Sequence, residues 1–162
     1  MINKKIIIRI SNELGNQMFM YASALGIANK LDMNIIIDNE SAYKSKKNIS
    51  KYGLNNFSIT SVIAPDSKKF LGIYGYFKRK ILKKINPYIK NKVIFIEPKN
   101  TEKITRYNEK IYNLKLSDNV FIEGYFESEK YFADIKDTIS SEFKFLNETK
   151  YQKSSYFNEI NK

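Results

Sequence analysis

No histidine and no cysteine occur anywhere in the 162 residues. Thiol chemistry, disulfides and most hydrolytic and zinc-dependent sites are therefore closed to this chain. Arginine is scarce as well, limited to Arg9, Arg79 and Arg106, with no two adjacent. Long apolar runs are missing: Lys4-Lys5-Ile6-Ile7-Ile8 is broken at Arg9, so neither a bilayer span nor a secretory signal fits. Together with the lack of cysteine, this points to the cytoplasm. One more absence is local. Between Lys68 and Lys92 there are nine basic residues (Lys68, Lys69, Lys78, Arg79, Lys80, Lys83, Lys84, Lys90, Lys92) and no acidic one, while the rest of the chain is close to neutral. The net charge of +11 is thus a patch, which implies an anionic partner or an exposed face.

At 43% hydrophobic, the chain is long enough for one compact domain and too short to promise two. Residues 1–146 read as that domain and 147–162 as a polar tail, frayed or cut off. The continuous apolar stretches Ile6 to Ile10 and Asn34 to Asp38 read as strands covered on both faces. Between them, Gln17 to Leu31 carries a broad apolar stripe of Phe19, Ala22, Leu25, Ile27, Ala28 and Leu31, the mark of a helix. Strand, helix and strand make a βαβ unit. Asn39 to Asn56 reads as loop, and Phe57 to Ile63 as a short strand before Pro65. Asp66 and Ser67 are placed to cap a helix in which Phe70, Ile73, Tyr74, Phe77 and Ile81 recur at helical spacing, predicting that this stripe is buried. Val93 to Ile96 and Val120 to Ile122 read as strands, residues 99 to 119 as polar with weak periodicity. Ser128 is placed to cap a helix bearing Tyr131, Phe132, Ile135, Ile139 and Phe143. The alternation predicts an α/β class, a Rossmann-like parallel sheet with flanking helices.

Three blocks stand out in order: Leu14-Gly15-Asn16-Gln17-Met18-Phe19-Met20-Tyr21-Ala22, then Tyr52-Gly53-Leu54-Asn55-Asn56-Phe57-Ser58-Ile59, then Gly124-Tyr125-Phe126-Glu127-Ser128-Glu129-Lys130-Tyr131-Phe132. In this register they resemble the bacterial α-1,2-fucosyltransferases, whose first loop and helix read Gly-Gly-Leu-Gly-Asn-Gln-Met/Leu-Phe-Gln-Tyr-Ala. Asn12-Glu13 stand where that family has Gly-Gly, and Met20 where it has Gln. Asn12 tolerates a left-handed turn, whereas the Glu13 carboxylate repels a diphosphate unless it points away or meets a base. The resemblance implies the amino-terminal lobe of a GT-B glycosyltransferase. It implies inverting transfer of fucose from GDP-fucose to the 2-hydroxyl of a galactoside, with no cofactor and no metal. It further implies that the carboxyl-terminal, donor-binding lobe, with its His-x-Arg-Arg-x-Asp motif, is absent from this chain, so that residues 1–162 alone carry out no transfer.

By the same resemblance, Gly15, Asn16 and Gln17 bind substrate: the Gly15 backbone approaches the sugar donor closely and the Asn16 and Gln17 amides bond hydroxyls of the sugar donor or of the acceptor, a role that suits groups able both to give and to accept a hydrogen bond. The plain alternative is that Gly15 makes a tight turn and Asn16 caps the helix. No base is assigned: Glu127 and Glu129 begin a helix, where carboxylates are favoured by the helix dipole alone. For Lys68–Lys92 three readings compete, in this order: a solvated lysine-rich face, an anionic membrane surface that would suit a lipid-linked acceptor and a peripheral place on the inner membrane, and nucleic acid, for which no docking motif is present. A non-catalytic glycan-binding or membrane-surface module is the alternative to the enzyme lobe.

Overall fold

Isoleucine runs set the frame. Strands Lys5–Arg9 (β1) and Asn34–Asp38 (β2) are apolar on both sides, so each needs cover on two faces, the condition of a parallel sheet between helical layers. The computed structural model, which describes residues 4–43, 51–98 and 107–146, has this arrangement. β1 and β2 pair in parallel, Ile6 opposite Ile35 and Ile8 opposite Ile37, and helix Leu14–Lys30 (α1) connects them. Val62–Ile63 (β3), Lys92–Ile96 (β4) and Leu116–Glu123 (β5) complete a five-stranded sheet of order β3-β2-β1-β5-β4. Every pairing is parallel, so the fold is α/β and Rossmann-like. The period-two alternation of β1 divides the core. Ile6, Ile8 and Ile10 pack with Met20, Tyr21, Ala24 and Ile27 of α1 on one face. Ile7 joins Ile36, Phe70, Ile94 and Phe121 on the other, beneath helix Gly72–Ile85 (α2). A short helix, Lys136–Glu142 (α3), lies on the α1 side, where Glu142 accepts hydrogen bonds from Tyr21 and Thr60.

Several boundaries differ from expectation, each for a local reason. α1 starts at Leu14 rather than Gln17 because Asn12 takes the left-handed turn, at φ 63°, and Glu13 is already the extended residue that precedes the helix. Of the strand expected over Phe57 to Ile63, only Val62 and Ile63 pair with β2; Phe57 instead bridges Phe145. Asp66 and Ser67 belong to a separate 3-10 turn, Asp66–Lys68, and cap nothing longer. β5 begins four residues before Val120, at Leu116. The helix expected from Ser128 is broken into the 3-10 turns Glu129–Tyr131 and Ala133–Ile135 before α3, because Phe132 and Ile135 leave helical geometry at φ −127° and −128°. The polar tail at 147–162, and parts of the two polar stretches at 44–50 and 99–106, lie outside the described residues.

The largest correction concerns α2. Of the stripe predicted to be buried, only Phe70 is, and it precedes the helix; Ile73 and Tyr74 are 79% and 81% exposed, Phe77 and Ile81 more than half. The inward side is instead Gly75, Lys78, Arg79 and Leu82. Gly75 lies so near the Phe70 backbone that a Cβ would come within 2.1 Å of its carbonyl carbon, and Arg79 forms a two-pronged pair with Glu123 of β5. At the far end Asn86 accepts from the Val93 and Ile94 amides and donates to the Ile94 carbonyl, fastening the helix to β4. These anchors turn the apolar stripe outward.

Candidate functional site

Polar and charged side chains collect at the carboxyl ends of the strands. In open parallel sheets this edge holds the ligand crevice, at the point where the strand order reverses. Here β2 and β3 lie to one side of β1, and β5 and β4 to the other, so the point falls between β1 and β5.

Above β1, the turn through Asn12 delivers the chain to the open end of α1. No side chain caps this helix, and its earliest intrahelical amide bond runs from Gln17 to the Glu13 carbonyl, leaving the preceding amides of the first turn without helical partners. Gly15 lies in that turn, exposed, and a Cβ there would meet nothing within 4 Å. Neither a tight turn nor a close neighbour therefore requires glycine at this position. Asn16 is half-buried and does not cap the helix; the residue at that boundary is Glu13, exposed and extended. Gln17 differs from its expected role. It is fully buried, its Nε2 donates to the carbonyls of Asn12 and Lys51 at 2.8 Å each, and its Oε1 accepts from the Gly53 amide at 2.8 Å. With both donors and one acceptor engaged, Gln17 clamps the β1–α1 turn to the distant 51–53 segment and is not presented to a ligand.

The same edge carries features that were not anticipated from sequence. Asp38, at the end of β2, is fully buried; its Oδ1 receives the amides of Glu40 and Ser41, and its Oδ2 is a buried atom without a hydrogen-bond partner among the described residues. Arg9 donates to the Ser41 carbonyl at 3.2 Å while its Nε is likewise buried and unpartnered. Burial pulls the Arg9 guanidinium down from its usual range, and the neighbouring Arg79 adds to the pull against the opposing attraction of Glu123. At the ends of β4 and β5, Glu97 accepts the Tyr125 and Phe126 amides at 2.8 Å, and burial raises its carboxyl above the usual range. Gly124 is required there, since a Cβ would lie 2.4 Å from that of Glu97. Phe126 is held at φ 51°, a costly conformation for a bulky residue, with Glu97 on its amide and the Ser23 hydroxyl on its carbonyl. Near Arg9 a half-open cavity of about 530 Å³ is lined by Ser41, Phe70, Gly72, Ile73, Tyr76, Phe77 and Arg79. Among the described residues no group of three acidic side chains is placed to hold a metal ion.

The three sequence blocks meet in space. The second is joined to α1 through Gln17 and Gly53, and the third through the Ser23–Phe126 hydrogen bond and through Gly26, where a Cβ would sit 2.1 Å from the Tyr131 carbonyl oxygen. Glu127 and Glu129 are exposed, the latter in a 3-10 turn rather than at a helix start. Comparison of the chain with protein-family models, with curated proteins and with solved structures gives no match.

Proposed function

We propose that this chain is the acceptor-side lobe of an inverting glycosyltransferase of the GT-B kind, acting with GDP-fucose on the 2-hydroxyl of a galactoside. The observation that carries the reading is Gly15. A glycine in an exposed first helical turn weakens the helix by up to about 1 kcal/mol relative to alanine, and nothing in the fold requires it. A ligand passing close to the backbone does supply a reason, because the amides of that turn, which have no helical partners, then face it without a side chain between. The convergence of all three blocks on α1 supports the same reading, since it gives residues far apart in sequence a common place. In the reaction, the acceptor oxygen must lose its proton as it attacks, and the leaving diphosphate must be neutralised. Arg9 and Arg79 are tied to Ser41 and Glu123, so the cations for the diphosphate come from a second lobe in this proposal. A cytoplasmic place and a lipid-linked acceptor belong to the proposal too; among the described residues, no helix is long and apolar enough to cross a membrane.

The test is an NMR titration of the labelled chain with lactose, alongside an assay with GDP-fucose. Amides from Asn12 to Gln17 and from Gly124 to Glu127 should shift with galactoside, and Gly15→Leu should abolish those shifts while leaving the fold at least as stable. The chain alone should transfer no fucose. An absence of galactoside shifts at this edge overturns the proposal, and turnover by the isolated chain overturns its need for a second lobe.

A further inference from the structure

We propose that the outward face of α2, continued by the 3-10 turn Asn86–Tyr88, is a docking surface for an anionic lipid bilayer. The outward residues fall into two groups. Ile73, Tyr74 and Phe77 project from the first turns and Ile81 from the next, each more than half exposed. Lys80 and Lys84 occupy the same outward side further along, and exposed Lys90 follows the 3-10 turn, in which Tyr88 is 89% exposed. The Lys80 ammonium lies 4.6 Å from the centre of the Tyr76 ring. An apolar aromatic end beside a lysine end is the composition of a helix that lies in a bilayer interface, the rings among the headgroups and acyl boundary and the ammonium groups on lipid phosphates.

Not all of the positive charge serves this purpose. Lys69 is buried against Glu40 and Asp66, Arg79 is held by Glu123, and Lys92 donates to the carbonyls of Asn86, Pro87 and Ile89. The charges left on the outside are lysines with no carboxylate anywhere between Lys68 and Lys92. That charge selects the occupant. A second copy of the chain packed symmetrically on this face would set lysine against lysine. Single-stranded nucleic acid would find rings to stack on in Tyr74, Phe77 and Tyr88, but it would leave Ile73 and Ile81 against phosphates and would find the only arginine of the segment already committed. An anionic bilayer satisfies both groups at once. Ile73, Tyr76 and Phe77 also line the cavity beside Arg9, so docking turns the carboxyl edge of the sheet towards the headgroups. This surface stands on exposure and charge, independently of the transfer reaction proposed above.

Because the chain contains no tryptophan, Tyr74→Trp gives a single fluorescent reporter on an exposed position. Its emission should shift to the blue with vesicles of phosphatidylglycerol and phosphatidylcholine, and remain unchanged with phosphatidylcholine alone. Binding should weaken at least tenfold between low and moderate salt. Changing Lys80, Lys84 and Lys90 together to Gln should weaken it by about a hundredfold, since each lysine near such a surface contributes about fivefold. Ile73→Ser with Phe77→Ser should remove the blue shift; circular dichroism should show the fold intact in every variant. Equal response to charged and neutral vesicles overturns the proposal. So does self-association at micromolar concentration that buries the reporter without lipid, or binding to an RNA or DNA oligomer tighter than to vesicles.

Discussion

α1 and α2 lie on opposite faces of one sheet and differ in how they are held. α1 buries residues on every turn from Gln17 to Ala28, many of them small, and is enclosed by the β-sheet on one side and by the two other sequence blocks on the other. α2 buries Gly75 alone and keeps its largest apolar side chains in solvent. Both helices carry apolar residues at helical spacing, so the spacing does not distinguish them. Each helix sets one glycine against neighbouring backbone, Gly26 in α1 and Gly75 in α2; the difference lies in the remaining anchors, which for α1 are the hydrogen bonds of Gln17 and Ser23 to the other two sequence blocks and for α2 are a salt bridge, one asparagine and a partly buried leucine. An enclosed helix is intolerant of change in the small residues that let its neighbours approach. A surface-laid helix is tolerant of change in its large ones.

The sharpest test of that contrast is Gly26→Ala. The added methyl would sit 2.1 Å from the Tyr131 carbonyl oxygen and 2.9 Å from the Phe132 Cα, both backbone atoms that cannot step aside without moving the third block. The expected loss is about 3 kcal/mol, at the upper end of overpacking effects, read from urea unfolding. A loss below about 1 kcal/mol would show that α1 is less tightly enclosed than its contacts suggest.

What was legible in sequence followed from local pattern. Continuous isoleucine runs demand cover on both faces, and the βαβ unit came out with the expected parallel neighbours. Asn12 was expected to preserve the left-handed turn, and it does. The outward face of α2 was not legible, because period 3.6 identifies a stripe without saying which partner it meets. The anchors that orient the helix, Glu123 for Arg79 and β4 for Asn86, are made by other elements. The same holds at the candidate site. Gln17 reads as a ligand amide until its partners at Lys51 and Gly53, thirty-four and thirty-six residues away, are seen to consume it.

Gln17 supplies the second test. Gln17→Leu leaves two carbonyls and one amide without their buried partner, and should cost about 2 to 3 kcal/mol, less than Gly26→Ala because water can reach the rim of the turn. Gln17→Glu adds a pH dependence with a definite sign. A carboxylate facing the Asn12 and Lys51 carbonyls is disfavoured, so its folded pKa rises above the ordinary glutamate value of about 4.3. Stability of this variant should be greatest below that value, where the protonated group still donates once. It should fall as pH rises through the folded pKa. Unfolding curves at a series of pH values would check this; a flat profile would mean that the side chain has swung out to water and that the clamp is dispensable.

The smallest effects should come from α2. Ile73→Ser and Phe77→Ser replace side chains that are 79% and 55% exposed, so each should change stability by less than about 0.5 kcal/mol. On the other side of the same helix, Leu82 packs on the cluster of Ile7, Phe70 and Phe121, and Leu82→Ala should cost about 1 to 2 kcal/mol, below the range for a fully buried leucine. The two measurements work as a pair. Outward changes that cost as much as Leu82→Ala would mean that some other part of the chain covers Ile73 and Phe77 in solution, leaving no face for lipid. Outward changes that cost nothing, with Leu82→Ala destabilising as expected, would leave the apolar stripe without an internal role and make its exposure a property that binding alone explains.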